Sequence, residues 1–245
     1  MDAKIITMYD EKILPVEEMV AYEEFTDRVE ILRELDTWVQ RMASPSTALI
    51  SPRRMGKTVL LDRLVNTVFF KPEYKVAPFY FRMRREETTL REFLLEYATT
   101  FFRQYIAYCH QAPSLYGDDS TKLEQLLEYP SDHKEVGLAK EFIKGFLGRY
   151  YDTRHDDIRN QWDGFIRAPE RLASHSGTRV AVIIDEFQDM KFYVHYVEKD
   201  SLERIKQERI KNPDYRGINL TATYDRQAQS RKAPMLVSGS ASRFK

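Results

Sequence analysis

Gly56, Lys57 and Thr58 close an eight-residue stretch, Ser51-Pro52-Arg53-Arg54-Met55-Gly56-Lys57-Thr58, set between a short apolar run and an amphipathic segment. Glycine, lysine and a hydroxyl in that order suit the gripping of phosphate. Backbone N–H groups of a tight turn and of a helix N-terminus converge on one anion. Gly56 lets the backbone approach closely. Lys57 brings a point charge to the β- and γ-phosphates, and the Thr58 hydroxyl is a ligand for Mg²⁺. The full pattern is Gly, any four residues, Gly, Lys, then Ser or Thr. This chain departs from it only at the first position, Ser51. If that position needs a left-handed backbone, serine costs about 1 kcal/mol or more. The candidate nucleotide-binding residues are Ser51, Pro52, Arg53, Arg54, Met55, Gly56, Lys57, Thr58 and Val59. Arg53 and Arg54 are either phosphate or subunit contacts, or solvated loop cations.

A second cluster lies at Val180-Ala181-Val182-Ile183-Ile184-Asp185-Glu186. An apolar run ending in two acids puts both carboxylates at the C-terminal edge of a parallel strand, where ligands of open α/β sheets bind. Asp185 is the candidate Mg²⁺ ligand together with Thr58. Glu186 is the candidate base that orients and deprotonates a water.

These residues need elements to position them. Phe25, Val29, Leu32, Leu35 and Val39 recur at helical steps from Glu24 to about Met42, with Thr26 as N-cap. Thr47–Ile50 reads as a short buried strand and Lys57–Phe70 as the helix after the turn. Val76–Phe81 is a second strand, and Thr88 or Thr89 caps a long helix, Leu90–His110. Ala112–Ser120 reads as a loop, followed by helical patterns at Lys122–Tyr129, Glu135–Tyr150 and Asp157–Ser174. Val180–Ile184 is a strand buried on both faces. Ser201–Lys211 is a charged helix, Asn212–Lys232 is turn-rich, and Met235–Val237 is a last strand. Helix separates each strand from the next, which predicts a parallel sheet covered by helices.

Composition excludes several classes. The 245 residues carry 38 Lys plus Arg and 38 Asp plus Glu, so no basic excess marks a surface built wholly for nucleic acid. Lys199–Lys232 holds nine basic residues against five acids, with Tyr215 and Tyr224 among them. It is either a DNA-contacting surface or a solvated segment. The single cysteine, Cys109, rules out an internal disulfide. Apolar runs fall far short of the ~20 residues that span a bilayer. The opening Met1–Ile6 is too short in apolar length for a signal peptide. Together these imply a cytoplasmic protein with no membrane partner. The five histidines are scattered without metal-ligand spacing.

The run from Ser51 to Leu61 resembles the Walker A motif of the archaeal-type ATPases, a branch of the P-loop NTPases near the STAND and AAA-type groups. Phe25-Thr26-Asp27-Arg28 with Glu30 is similar to that family's entry helix, although the glutamate falls two residues after the arginine. Ile184-Asp185-Glu186-Phe187-Gln188 resembles its Walker B strand, and Ala233–Ser240 its sensor strand. The four motifs span Phe25 to Ser240.

The resemblance implies a three-layer ASCE-type parallel sheet, helices on both faces, with another strand between the Walker A and Walker B strands. Extra helices lie between the second core strand and Walker B. It implies ATP and Mg²⁺ as ligands, and Ser238, with Ser240 as the other candidate, on the γ-phosphate or the lytic water. The expected organisation is a lead-in segment, 1–24, and an ATPase domain, 25–245, without the family's fifth strand and C-terminal lid. Arg243 is a candidate finger toward a neighbouring subunit. The expected function is slow Mg²⁺-dependent ATP hydrolysis coupled to conformational change, with a protein partner or homo-oligomer. The alternative is a nucleotide-gated DNA- or protein-binding switch with negligible hydrolysis.

Overall fold

The apolar run before Asp185 forms strand on every residue, and all seven positions of Arg179–Asp185 are buried. The computed structural model describes residues 14–15, 28–152, 157–212, 217 and 220–240. Within them, α1 (Val29–Gln40) buries Leu32, Leu35, Trp38 and Val39 along one stripe. Arg28 precedes it in a non-helical conformation, so the helix starts at Val29 and not at Glu24. Phe25 and Thr26 lie outside the described residues. Strand β1 (Thr47–Ser51) leads into α2 (Lys57–Phe69), then β2 (Val76–Arg82) and the two-residue β3 (Thr88–Thr89).

Helix α3 (Leu90–His110) has the predicted ends, because its start is specified locally. The Thr89 hydroxyl accepts from the Glu92 N–H at 3.1 Å while the Thr89 N–H reaches Glu92 Oε2 at 3.5 Å, a capping box. The Ala112–Ser120 loop contains one helical turn, Pro113–Tyr116, whose fully buried Tyr116 hydroxyl donates to the Pro78 carbonyl at 3.1 Å. Lys122–Tyr129 proves to be a 3₁₀ segment, Glu124–Glu128. Helix α4 (Lys134–Asp152) follows. The single helix expected over Asp157–Ser174 is two, α5 (Ile158–Phe165) and α6 (Ala168–Ser176), because Pro169 occupies the first turn of α6. Then come β4 (Arg179–Asp185), the short β5 (Val194–His195), α7 (Leu202–Lys211) and β6 (Met235–Ser240).

The main sheet has four parallel strands in the order β1-β6-β4-β2, flanked by helices. Strand β6 therefore lies between β1 and β4. The register sets Arg82 beside Asp185, Ile184 beside Val237 and Ser51 beside Ser240, which aligns the C-terminal ends along one edge. A second small parallel pair, β3 with β5, escapes sequence reading because two residues cannot show a period.

Strand β1 was expected to be buried, and it is not. Among the described residues it pairs with β6 alone, at the sheet's edge; Ile50 is 49% exposed there, while Leu49 is half-buried against the core.

Packing concentrates on β2 and α3. Phe79 and Phe81 meet Tyr97 edge-on or tilted at 5.0 and 4.9 Å, and Phe93 and Tyr97 pack on Trp162 of α5 at 5.2 and 5.3 Å. Such ring pairs add about 0.5–1.5 kcal/mol beyond their buried area. The Arg179 guanidinium donates to the Val39 and Gln40 carbonyls at 3.0 and 3.1 Å, capping the C-terminus of α1 from the start of β4. Within the lead-in segment, Leu14 is fully buried and its N–H donates to Asn66 Oδ1 at 2.9 Å.

Candidate functional site

The turn between β1 and α2 delivers the loop to the sheet's C-terminal edge. Gly56 is the N-cap of α2 with φ +66°, a left-handed conformation that a side chain would strain. Arg54, two residues earlier, is also left-handed at φ 60°. Ser51 is not among the positive-φ residues, so serine in place of the pattern's glycine carries no left-handed strain. Pro52 to Gly56 are exposed, and Val59 is half-buried on the first turn of α2. Lys57 is only 6% exposed because its side chain folds back over the loop. Its Nζ donates to the Pro52 and Ser51 carbonyls at 3.1 and 3.3 Å and to Ser51 Oγ at 3.4 Å.

Asp185 is fully buried at the end of β4 and collects four donors. Thr58 Oγ1 donates to Oδ2 at 2.7 Å, and Tyr80 OH reaches the same oxygen at 3.4 Å. The Glu186 N–H donates to Oδ1 at 3.0 Å, and Ser238 Oγ donates to Oδ1 as well. An ionised carboxylate has about four lone-pair sites, so this shell can be filled from the chain itself. Burial, reinforced by the Asp185 and Asp62 carboxylates, holds the Tyr80 hydroxyl protonated well above the usual tyrosine range. It therefore stays a donor. Ser238 is fully buried beneath Asp185, so its hydroxyl orients that carboxylate. Ser240 is buried two residues further along β6.

Glu186 follows at φ 53° and ψ 39°, a left-handed non-glycine position of the kind that clusters at functional sites. Gln188 Nε2 donates to Glu186 Oε2, and Arg85 Nη2 lies 3.5 Å from the same oxygen. Arg85 is anchored by Asp189, whose carboxylate accepts from Nε at 2.7 Å and is fully buried. That hydrogen bond is the first cause that raises the guanidinium pKa above its ordinary value.

The structure thus joins Thr58, Asp185 and Ser238 in one hydrogen-bonded group, while Lys57, next to Thr58 in the chain, folds onto Ser51 and Pro52. Glu186 sits at its border, engaged by Gln188 and Arg85. Tyr80 and Arg85 were missed by sequence reasoning: one sits inside an aromatic strand, the other in a loop, and no local pattern points either toward Asp185–Glu186. Arg243 lies outside the described residues.

Elsewhere, four of the nine basic residues of the stretch pair with acids. Lys199 pairs with Glu92 at 2.7 Å, Lys206 with Glu203 at 2.6 Å, Lys211 with Glu208 at 3.3 Å, and Arg209 turns inward to Glu87. Cys109 is half-buried, and burial pushes its thiol up to about 12. Among the described residues no three His, Cys, Asp or Glu side chains converge as a metal cluster. Nor is any helix among them long and apolar enough to cross a membrane. Comparison of the chain with protein-family models, with curated proteins and with solved structures returned no match.

Proposed function

We propose that the chain is a P-loop ATPase module that binds Mg·ATP and hydrolyses it slowly, coupling nucleotide state to a conformational change. The observation that carries this reading is the hydrogen bond between Thr58 and Asp185, 127 residues apart, at the mouth of a glycine–lysine turn. A hydroxyl from a phosphate-gripping turn and a buried carboxylate from an apolar strand end are the donor set that Mg²⁺ takes alongside water and phosphate oxygens. The placement of β6 between β1 and β4 supports the three-layer ASCE arrangement, and the resemblance of the four motifs points the same way.

In this reading the loop N–H groups and the N-terminus of α2 bind the phosphates. Lys57 leaves the Pro52 and Ser51 carbonyls to pair with the β- and γ-phosphate oxygens. Thr58 and Asp185 hold the Mg²⁺, which when bound neutralises charge that develops on the transferring phosphoryl group. Tyr80 and Ser238 keep the Asp185 carboxylate oriented. Glu186 accepts the proton of the attacking water once it is released from Gln188 and Arg85.

That engagement favours a second reading, a nucleotide-gated switch in which Glu186 stays held and hydrolysis is negligible. Thermal-shift titration with Mg·ATP and Mg·GTP, on the native chain and on Lys57→Ala, tests nucleotide binding. Ligand at 100 times its Kd should add about 2.7 kcal/mol to the native chain alone. Absence of any shift with either nucleotide would overturn both readings.

A further inference from the structure

Arg28, the residue before α1, carries its guanidinium to the turn between β1 and α2. A Cβ placed on Gly56 would stand 3.8 Å from Arg28 Nη1 and 3.9 Å from its Cζ. The guanidinium therefore lies within contact range of the left-handed N-cap of α2. Gly56 is exposed, so the space around it is open to a ligand. A helix N-terminus carries partial positive charge, which disfavours a cation and favours an anion. Arg28 stands at two such ends, its backbone at the start of α1 and its guanidinium beside the start of α2. Arg28 is half-buried, and among the described residues its guanidinium has no hydrogen-bond or ion-pair partner. Lys57 differs, because its Nζ is held by the Ser51 and Pro52 carbonyls. Arg53 and Arg54 differ too, being exposed to water on the loop. Arg28 is thus a cation partly withdrawn from water, at a positive helix end, that the described residues leave unpaired.

We propose that Arg28 is a further anion-binding residue of this turn, its planar guanidinium taking two oxygens of a bound polyphosphate. The inference rests on the reading of Ser51–Thr58 as a phosphate loop, and it adds a residue from outside that stretch. Two parallel N–H···O bonds from one guanidinium match the geometry of phosphate oxygens, which the point charge of a lysine does not. Loop N–H groups, the N-terminus of α2, Lys57 and Arg28 then meet one ligand from two separate segments of the chain. The bound anion also offsets the unfavourable positive charge beside the helix end.

The test is calorimetric titration of the full chain with Mg·ATP and with Mg·tripolyphosphate, which has neither base nor sugar. Arg28→Gln should weaken both ligands to the same degree, by about tenfold or more, the loss expected for hydrogen bonds to a charged group. Arg28→Lys should recover part of that loss. With no ligand present, Arg28→Gln should melt at the parental temperature or above it, since no partner is lost. The proposal is overturned if Arg28→Gln binds both anions like the parent chain. It is also overturned if only Mg·ATP is weakened, which would put the guanidinium on the base or sugar. A lower melting temperature of the unliganded variant overturns it as well, by making Arg28 a support of the loop's fold. The ATPase reading fails separately: tripolyphosphate that binds and is weakened by Arg28→Gln, with no binding of Mg·ATP, would keep this site and remove that reading. Binding of neither anion by the parent chain would overturn both.

Discussion

Thr58 Oγ1 donates to Asp185 Oδ2 at 2.7 Å, joining the first turn of α2 to the C-terminal end of β4. The two side chains come from segments with no local relation, and both sit where parallel strands end. Asp185 also receives Tyr80, Ser238 and the Glu186 N–H, so this one buried carboxylate organises residues from α2, β2, β4 and β6.

Removing the carboxylate should therefore be felt in stability as well as in metal binding. Asp185→Ala leaves the Thr58 and Ser238 hydroxyls without their acceptor, at about 1–3 kcal/mol for buried groups left unpaired. Urea denaturation should show that loss with no ligand present, and the Mg²⁺ dependence of any ATP-induced shift should vanish. An unchanged denaturation midpoint would mean that the hydrogen bonds around Asp185 contribute nothing.

Glu186 has a different expected signature, since its carboxylate is engaged by Gln188 and Arg85. Glu186→Gln should bind Mg·ATP like the parent chain and lose turnover by roughly 100-fold or more, the usual contribution of a general base. Single-turnover phosphate release measures it. Hydrolysis at the parental rate would remove Glu186 from the mechanism.

Backbone conformation separates two glycine substitutions. Ser51 is outside the left-handed region, so Ser51→Gly relieves no strain and should stabilise nothing. Lys75, left-handed at φ 51° in the turn before β2 and exposed, is the contrasting site. Lys75→Gly should raise stability by about 0.5–1 kcal/mol, since glycine takes that conformation without a Cβ penalty. Paired thermal melts decide between the two positions.

Alkaline pH should weaken the fold through Cys109 and Tyr108. Burial raises the thiol from its ordinary 9.0 to about 12, and the Tyr108 hydroxyl from 10.0 to about 12. Groups whose folded pKa is raised contribute stability that is intact below the unfolded value and lost as pH climbs toward the folded one. The denaturation midpoint should thus hold to about pH 9 and fall between there and pH 12, with a shallower fall in Cys109→Ala. At pH 8 the thiol should react with iodoacetamide far more slowly in the folded chain than in urea. Equal alkylation rates in the two states would contradict its burial.

The sequence by itself determined the pieces whose causes are local. The ends of α3 follow from the Thr89–Glu92 capping box, the turn at Gly56 from a residue that tolerates φ +66°, and the buried β4 from an unbroken apolar run. It also placed Lys57, Thr58, Asp185 and Glu186 at the edges of their elements. Tertiary structure alone decided which of these meet. It placed Ser238 beneath Asp185, brought Tyr80 from the neighbouring β2 and Arg85 from the loop after it, and, among the described residues, left β1 at the sheet's edge. It also seated Leu14 against Asn66. The reason is one of range. Caps and periodicity act over about four residues, whereas partners in a parallel sheet are chosen by how helical crossovers pack, and no short pattern records that choice.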